Sequence, residues 1–159
     1  MEKLLSLPKS INLEQLRENI DFIGASMSAY MCDCLVVCLT EENHSMGVIL
    51  KVETEDKKYN FRLEWTTQIT PHLIGATRDK ERTTEWAAMG LALLLVRELT
   101  EYPYIFTSRK GLGTDFALSK DAIEMTEDAY IEISGIRKES PTNTLKRRLI
   151  IKKKPDRTL

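Results

Sequence analysis

Residues 87–96 read Ala-Ala-Met-Gly-Leu-Ala-Leu-Leu-Leu-Val, ten positions without one charged or hydrogen-bonding side chain. Wound as a helix, such a run is apolar on every side and has to be covered on several faces, typically against a central sheet. A bilayer does not offer that cover, because a membrane helix needs about 20 apolar residues. The second apolar stretch, Met27 to Leu39, is interrupted by Asp33. The chain must therefore bury the run itself, and 159 residues suffice for one domain that does so without staples.

The rest of the pattern supplies the covering layers. Thr83 or Thr84 is placed to cap the apolar helix, which then runs to about Thr100. Asn12 is placed to cap an earlier helix from Leu13, along which Leu13, Leu16, Ile20 and Ile23 recur at helical spacing before Gly24. A further helix is expected over residues 26–40, with Met27, Tyr30, Met31, Cys34, Leu35, Cys38 and Leu39 at three- and four-residue steps. Part of that stretch, from Cys34 to Leu39, also reads as a strand. Residues 46–52 and 59–65 are strand-like and joined by a charged hairpin connection. In the second of them Phe61, Leu63 and Trp65 alternate with Arg62 and Glu64, as a sheet with one wetted face requires. Residues 66–80 read as a connector. Strands follow at 103–108, 114–118 and 129–135, then a basic helix from Pro141 or Thr142 to about Lys154 and a short frayed tail. The expected fold class is α+β: a mixed central sheet flanked by helices, with an N-terminal helical segment over 1–45 and a hairpin and connector over 46–79.

Charge is unevenly placed. The whole chain carries −1, yet residues 136–159 hold nine basic residues against two acids, Glu139 and Asp156. That stretch is +7 and the remainder −8. An acidic body with a basic segment suits a polyanionic partner such as nucleic acid, if the cations share a face, and equally a solvated terminal helix. Hydrophobic residues at 42% and charged residues at 30% exclude a disordered chain. Residues 1–8 show no cleavable signal pattern. Cys32, Cys34 and Cys38 are an odd number within one apolar run. They argue against a disulfide scaffold and for a reducing, cytoplasmic setting. As buried thiols they act as small hydrophobes. A zinc site adding His44 would need a spacing that matches no usual ligand pattern.

Three acids stand out. Glu85 falls in the first turn of the apolar helix. Asp115 interrupts Gly-Thr-Asp-Phe-Ala-Leu, and Glu132 interrupts Ala-Tyr-Ile-Glu-Ile-Ser-Gly. A carboxylate inside a central strand is costly unless it is paired or holds a metal. Period two puts Tyr130, Glu132 and Ser134 on one face of their strand. If the Asp115 and Glu132 strands pair, both acids point into one space and form, with a backbone carbonyl, an oxygen cage of the kind that holds Mg²⁺.

Over about residues 80–154 these features resemble the PD-(D/E)xK, or restriction-endonuclease-like, phosphodiesterase superfamily. Its core is helix, three strands, helix, strand, with an acid on the second strand, Glu-x-Lys on the third and a helical Glu before both. Asp115 matches the strand acid, Glu132 the acid of Glu-x-Lys and Glu85 the helical acid. The stretches 84–98, 110–118 and 131–135 also resemble a group of uncharacterised bacterial proteins that carry Lys-Gly-x-Gly-x-Asp followed by a Glu-x-Ser-Gly strand. The resemblance implies a metal-dependent, nuclease-like protein acting on or binding nucleic acid, with bacterial defence as its setting. Glu85, Asp115, Glu132 and Ser134 would form the catalytic set, and Asp115 and Glu132 the Mg²⁺ ligands. Ser134 stands where the superfamily has lysine and supplies no cation, so a replacement would come from Lys110, Arg137, Lys138 or Lys146. Nucleic-acid contacts fall to Lys110, Arg137, Lys138, Lys146, Arg147 and Arg148. The alternative, which the missing lysine favours, is a catalytically inactive accessory or immunity protein that binds another protein.

Other patterns carry less. Lys110-Gly-Leu-Gly-Thr is followed by a strand rather than a helix, so it is a tight turn and no P-loop. His44 and His72 lie far apart in polar loops. Neither Gly-x-Ser-x-Gly nor His-Glu-x-x-His occurs. Trp65 and Trp86 read as core residues.

Overall fold

The computed structural model describes residues 7–18, 23–109, 111 and 113–144. In chain order the elements are β1 (Lys9–Asn12), α1 (Gln15–Glu18), α2 (Ala25–Glu41), β2 (Ile49–Glu53), β3 (Lys58–Glu64), α3 (Pro71–Ala76), α4 (Lys80–Leu99), β4 (Tyr104–Thr107), β5 (Phe116–Ser119) and β6 (Ala129–Ile131). The architecture is α+β. The described strands form two separate sheets of three rather than one central sheet.

Helix α4 carries the apolar run and packs most extensively on α2, not on a sheet. Thr83, Ala87, Gly90, Leu93, Leu94 and Val96 are its buried positions. From α2 the buried side includes Met31, Cys32, Leu35 and Val36. The two helices approach closely at Gly90, where a Cβ would lie 3.0 Å from the Met31 Cβ and 3.1 Å from Leu16 Cδ1. Glycine suits the site because a side chain there would press on contacts tighter than ordinary van der Waals spacing.

The first sheet has the order β1-β3-β2. The β2–β3 hairpin is antiparallel, with Glu53 opposite Lys58, and β1 adds in parallel with Ile11 opposite Leu63. Phe61 and Leu63 point inward while Arg62 and Glu64 are half-exposed, which is the expected alternation. The second sheet is an antiparallel meander, β4-β5-β6, whose central strand is buried at every position, Phe116 to Ser119. Ile11, Met31, Phe61, Leu93, Ile105 and Phe116 belong to one hydrophobic cluster, so both sheets and both long helices share a core. Among the described residues, no helix is long and apolar enough to cross a membrane.

Several boundaries differ from expectation. Asp79, not Thr83 or Thr84, caps α4, its carboxylate accepting from Arg82 N–H at 3.1 Å. Thr83 is instead buried, and its hydroxyl donates to the Thr77 and Asp79 carbonyls. Glu85 consequently lies in the second turn of α4. Asn12 ends β1, and its side chain accepts from Glu14 N–H at 2.9 Å in a local turn instead of capping a helix at Leu13. The connector contains α3, capped by Thr70 with Pro71 at its first position. Residues 140–143 form a turn closed by the Ser140–Asn143 bridge. The remainder of the expected C-terminal helix lies outside the described residues. Asp79→Ala is expected to lower stability by about 1 kcal/mol, read as a lower denaturation midpoint. An unchanged midpoint would mean that the Asp79 cap adds nothing to the buried Thr83 hydroxyl.

Glu14 ties the first segment to the chain beyond β3. Its Oε1 accepts from Thr66 N–H at 2.6 Å, Thr67 N–H at 2.8 Å and the Thr67 hydroxyl at 2.9 Å. Burial raises the Glu14 carboxyl, and these hydrogen bonds outweigh it, leaving the group below its ordinary 4.5. A depressed folded-state value stabilises the fold at pH above the ordinary value and is lost as acid protonates the folded carboxylate. Glu14→Gln is therefore expected to flatten the loss of stability below about pH 4.5. An equally steep acid limb in the variant would assign that loss to other groups.

Candidate functional site

Beyond β6 the chain runs on through residues 132–137 and crosses α4. Gly135 sits directly on that helix: a Cβ there would lie 2.7 Å from the Ala88 Cβ and 3.0 Å from the Thr84 carbonyl oxygen. Arg137 then fastens the segment. Its guanidinium pairs with Glu41 at the end of α2, donates to the Thr84 hydroxyl at 3.1 Å and to Cys38 Sγ at 3.3 Å, and reaches the Lys80 carbonyl at 3.4 Å. The Arg137 side chain is 13% exposed. A cation held this closely by its own chain is a structural latch, and a phosphate would have to compete with Glu41 for it.

The latched segment separates two depressions. On one side is a polar cleft of about 690 Å³, lined by Glu81, Thr84, Glu85 and Met89 of α4, Asp115, residues 133–138 and Asn143. On the other is an apolar groove of about 490 Å³ between α2, α4 and residues 131–137. Of the four expected catalytic residues, Glu85, Asp115 and Ser134 line the polar cleft together with Lys138. Ser134 also borders the groove, and Glu132 lines only the groove.

Asp115 and Glu132 come near each other for the expected reason, since β5 and β6 pair with Phe116 opposite Ile131. Yet both acids lie just outside their strands, β5 starting at Phe116 and β6 stopping at Ile131. Asp115 N–H donates to the Ile131 carbonyl at 2.8 Å. The Asp115 carboxylate accepts from Ile133 N–H at 2.6 Å. This side chain thus continues the ladder where backbone pairing ends. Ile131 and Ile133 pack against the core, which turns Glu132 between them outward. Asp115 thus borders the polar cleft and Glu132 the groove. No three His, Cys, Asp or Glu side chains among the described residues come together as a metal-binding group.

Lys138 is exposed at the cleft. Lys110, Lys146, Arg147 and Arg148 lie outside the described residues. Cys32 and Cys34 are buried, and burial pushes both thiols up to about 11. Cys38 is half-buried, and burial raises it as well, against the opposing pull of Arg137. All three are free. Sequence reasoning did not single out Glu81, Met89 or Asn143. Glu81 and Met89 stand four residues to either side of Glu85 on α4, so the helical period alone placed them on its face.

Compared with known protein families, curated proteins and solved structures, the chain shows no significant match.

Proposed function

We propose that the chain is a nuclease-like protein directed at nucleic acid, with the polar cleft as its working site. The observation that supports this most is the joint presence of Glu85, Asp115, Ser134 and Lys138 around one cleft. Carboxylates from a helix and from a strand end, with a lysine beside them, have the chemical make-up of a PD-(D/E)xK site. Lys138 would take the place of the lysine that Ser134 lacks. Mg²⁺ is commonly held by one or two carboxylates plus substrate phosphates rather than by a protein cage. Glu85 and Asp115 suit that role, in place of the pair Asp115 and Glu132. The ion would lower the pKa of a bound water and stabilise charge on the phosphodiester. Lys138 would orient the phosphate, and the Ile133 N–H holds the Asp115 carboxylate at the cleft wall. The three free thiols suit a cytoplasmic setting.

A second reading is an inactive accessory protein on the same framework. It is favoured by the absence of a lysine at Ser134 and by Asp115 completing the ladder.

Incubation with DNA and RNA in Mg²⁺ or Mn²⁺ separates the two. Under the first reading the wild type cuts, and Asp115→Asn and Glu85→Gln lose cutting while keeping binding. The amide oxygen introduced by Asp115→Asn would still accept from Ile133 N–H, so lost cutting would report the charge and not the fold. Binding should weaken with salt, and replacing Lys146, Arg147 and Arg148 with Ala should flatten the log–log slope by up to about three units on duplex DNA. Binding without cutting selects the accessory reading. Neither binding nor cutting removes nucleic acid as the partner.

A further inference from the structure

The turn that joins β5 to β6 carries the most exposed large apolar side chain among the described residues. Ile123 is 90% exposed and Met125, two positions on, 55%. One exposed aliphatic residue is ordinary, whereas two on a single turn make an apolar tip. The tip is held in shape by its own hydrogen bonds. The Asp121 carboxylate accepts from Ile123 N–H at 2.8 Å and Glu124 N–H at 3.0 Å. Met125 N–H donates to the Asp121 carbonyl at 3.1 Å. At the base of the turn the Asp128 carboxylate accepts from Lys120 N–H at 2.8 Å and the Thr126 hydroxyl at 3.0 Å. A turn fixed in this way gives up little freedom when it docks.

The charge around the tip selects the partner. Residues 119–130 hold four acids, Asp121, Glu124, Glu127 and Asp128, against Lys120 alone. Arg109 reaches in from outside the turn and pairs with Glu127, which still leaves negative charge in surplus. Such a surface repels nucleic-acid phosphates and anionic lipid and attracts lysine and arginine. We propose that the β5–β6 turn docks a basic amphipathic segment of another protein. Ile123 and Met125 take its aliphatic side, and Glu124 with the neighbouring acids takes its cations. An unbranched methionine adapts readily to such a partner. No residue of 119–130 lines the polar cleft, so the surface serves either reading of that cleft.

The probe is a labelled synthetic peptide of leucine and lysine at helical spacing, titrated with the full-length chain. The wild type should bind it, less tightly as salt screens the acids. The double variant Ile123→Ser/Met125→Asn should bind about tenfold more weakly or worse. Glu124→Lys should weaken binding as well, and a peptide with serine in place of each leucine should bind poorly at the same charge. Met125 stands at φ 49°, where asparagine is far better tolerated than methionine. Met125→Asn alone should therefore keep or raise the denaturation midpoint, so that lost binding reports the surface and not the fold. Wild type that ignores the peptide overturns the proposal. So does a folded double variant that binds as tightly as wild type, or a leucine–glutamate peptide that binds equally well. Self-association that the double variant abolishes gives the tip to a second copy, and loss of nucleic-acid binding in that variant gives it to nucleic acid. Either result also overturns the proposal.

Discussion

Leu93→Ala is expected to destabilise the protein by about 2–5 kcal/mol, the range for emptying a leucine site that its surroundings do not refill. Leu93 is 0% exposed and lies in the C-terminal half of α4 in the shared core. Helix α4 packs directly on α2, so collapse into the space would require moving the 20 residues of α4 as a body. The denaturant midpoint at unchanged slope measures the cost. Leu95→Ala, only two residues on, is expected to cost less, because Leu95 is half-buried and borders the open groove. Equal effects at the two positions would show that the groove is as tightly covered as the core.

Gly135→Val is expected to cost about 1–3 kcal/mol through overpacking. The neighbours a side chain would meet are the Ala88 Cβ at 2.7 Å and the Thr84 carbonyl at 3.0 Å, both rooted in the α4 backbone. Neither can swing aside, so the segment itself must lift. Because that segment is the common wall of cleft and groove, the same change should raise the reactivity of Cys38 along with the loss of stability. Gly90→Ala is the useful contrast. There the added methyl gains about 1 kcal/mol of helix propensity against contacts at 3.0–3.3 Å, so the two effects largely offset. A Gly135→Val protein with wild-type stability would mean that the segment does not rest on α4.

Elements whose signal is local were legible in the sequence. Helix α2 and the β2–β3 hairpin declare themselves by period, and α4 by an apolar run too long for a strand. Strand β1 does not, because Lys9-Ser10-Ile11-Asn12 has one apolar residue and becomes a strand only by parallel pairing with β3. Helix α3 did have a signal, Thr70 followed by Pro71, but it is short and none of its residues is buried. Asp79 gives a weaker cap signal than Thr83 and Thr84, which stand nearer the apolar run. The division into two sheets is a matter of long-range pairing, which period cannot report. At the site, the sequence shows which acids interrupt strands. It does not show that each acid lies one residue outside its strand, Asp115 before β5 and Glu132 after β6. That single offset lets Asp115 accept from Ile133 N–H and leaves Glu132 on the other depression.

The latch at Arg137 has a consequence for how the protein is made. Its partner Glu41 lies 96 residues earlier, and Lys80 and Thr84 lie 57 and 53 residues earlier. At about 5–20 residues per second, a ribosome needs roughly 5–20 s to go from the first of these to the last. During that interval α2 and α4 can already be packed while their common flank waits for the strand meander to emerge. The wall between cleft and groove is therefore among the last described parts of the chain to be secured, and the nascent protein displays an apolar flank for seconds before it can close it.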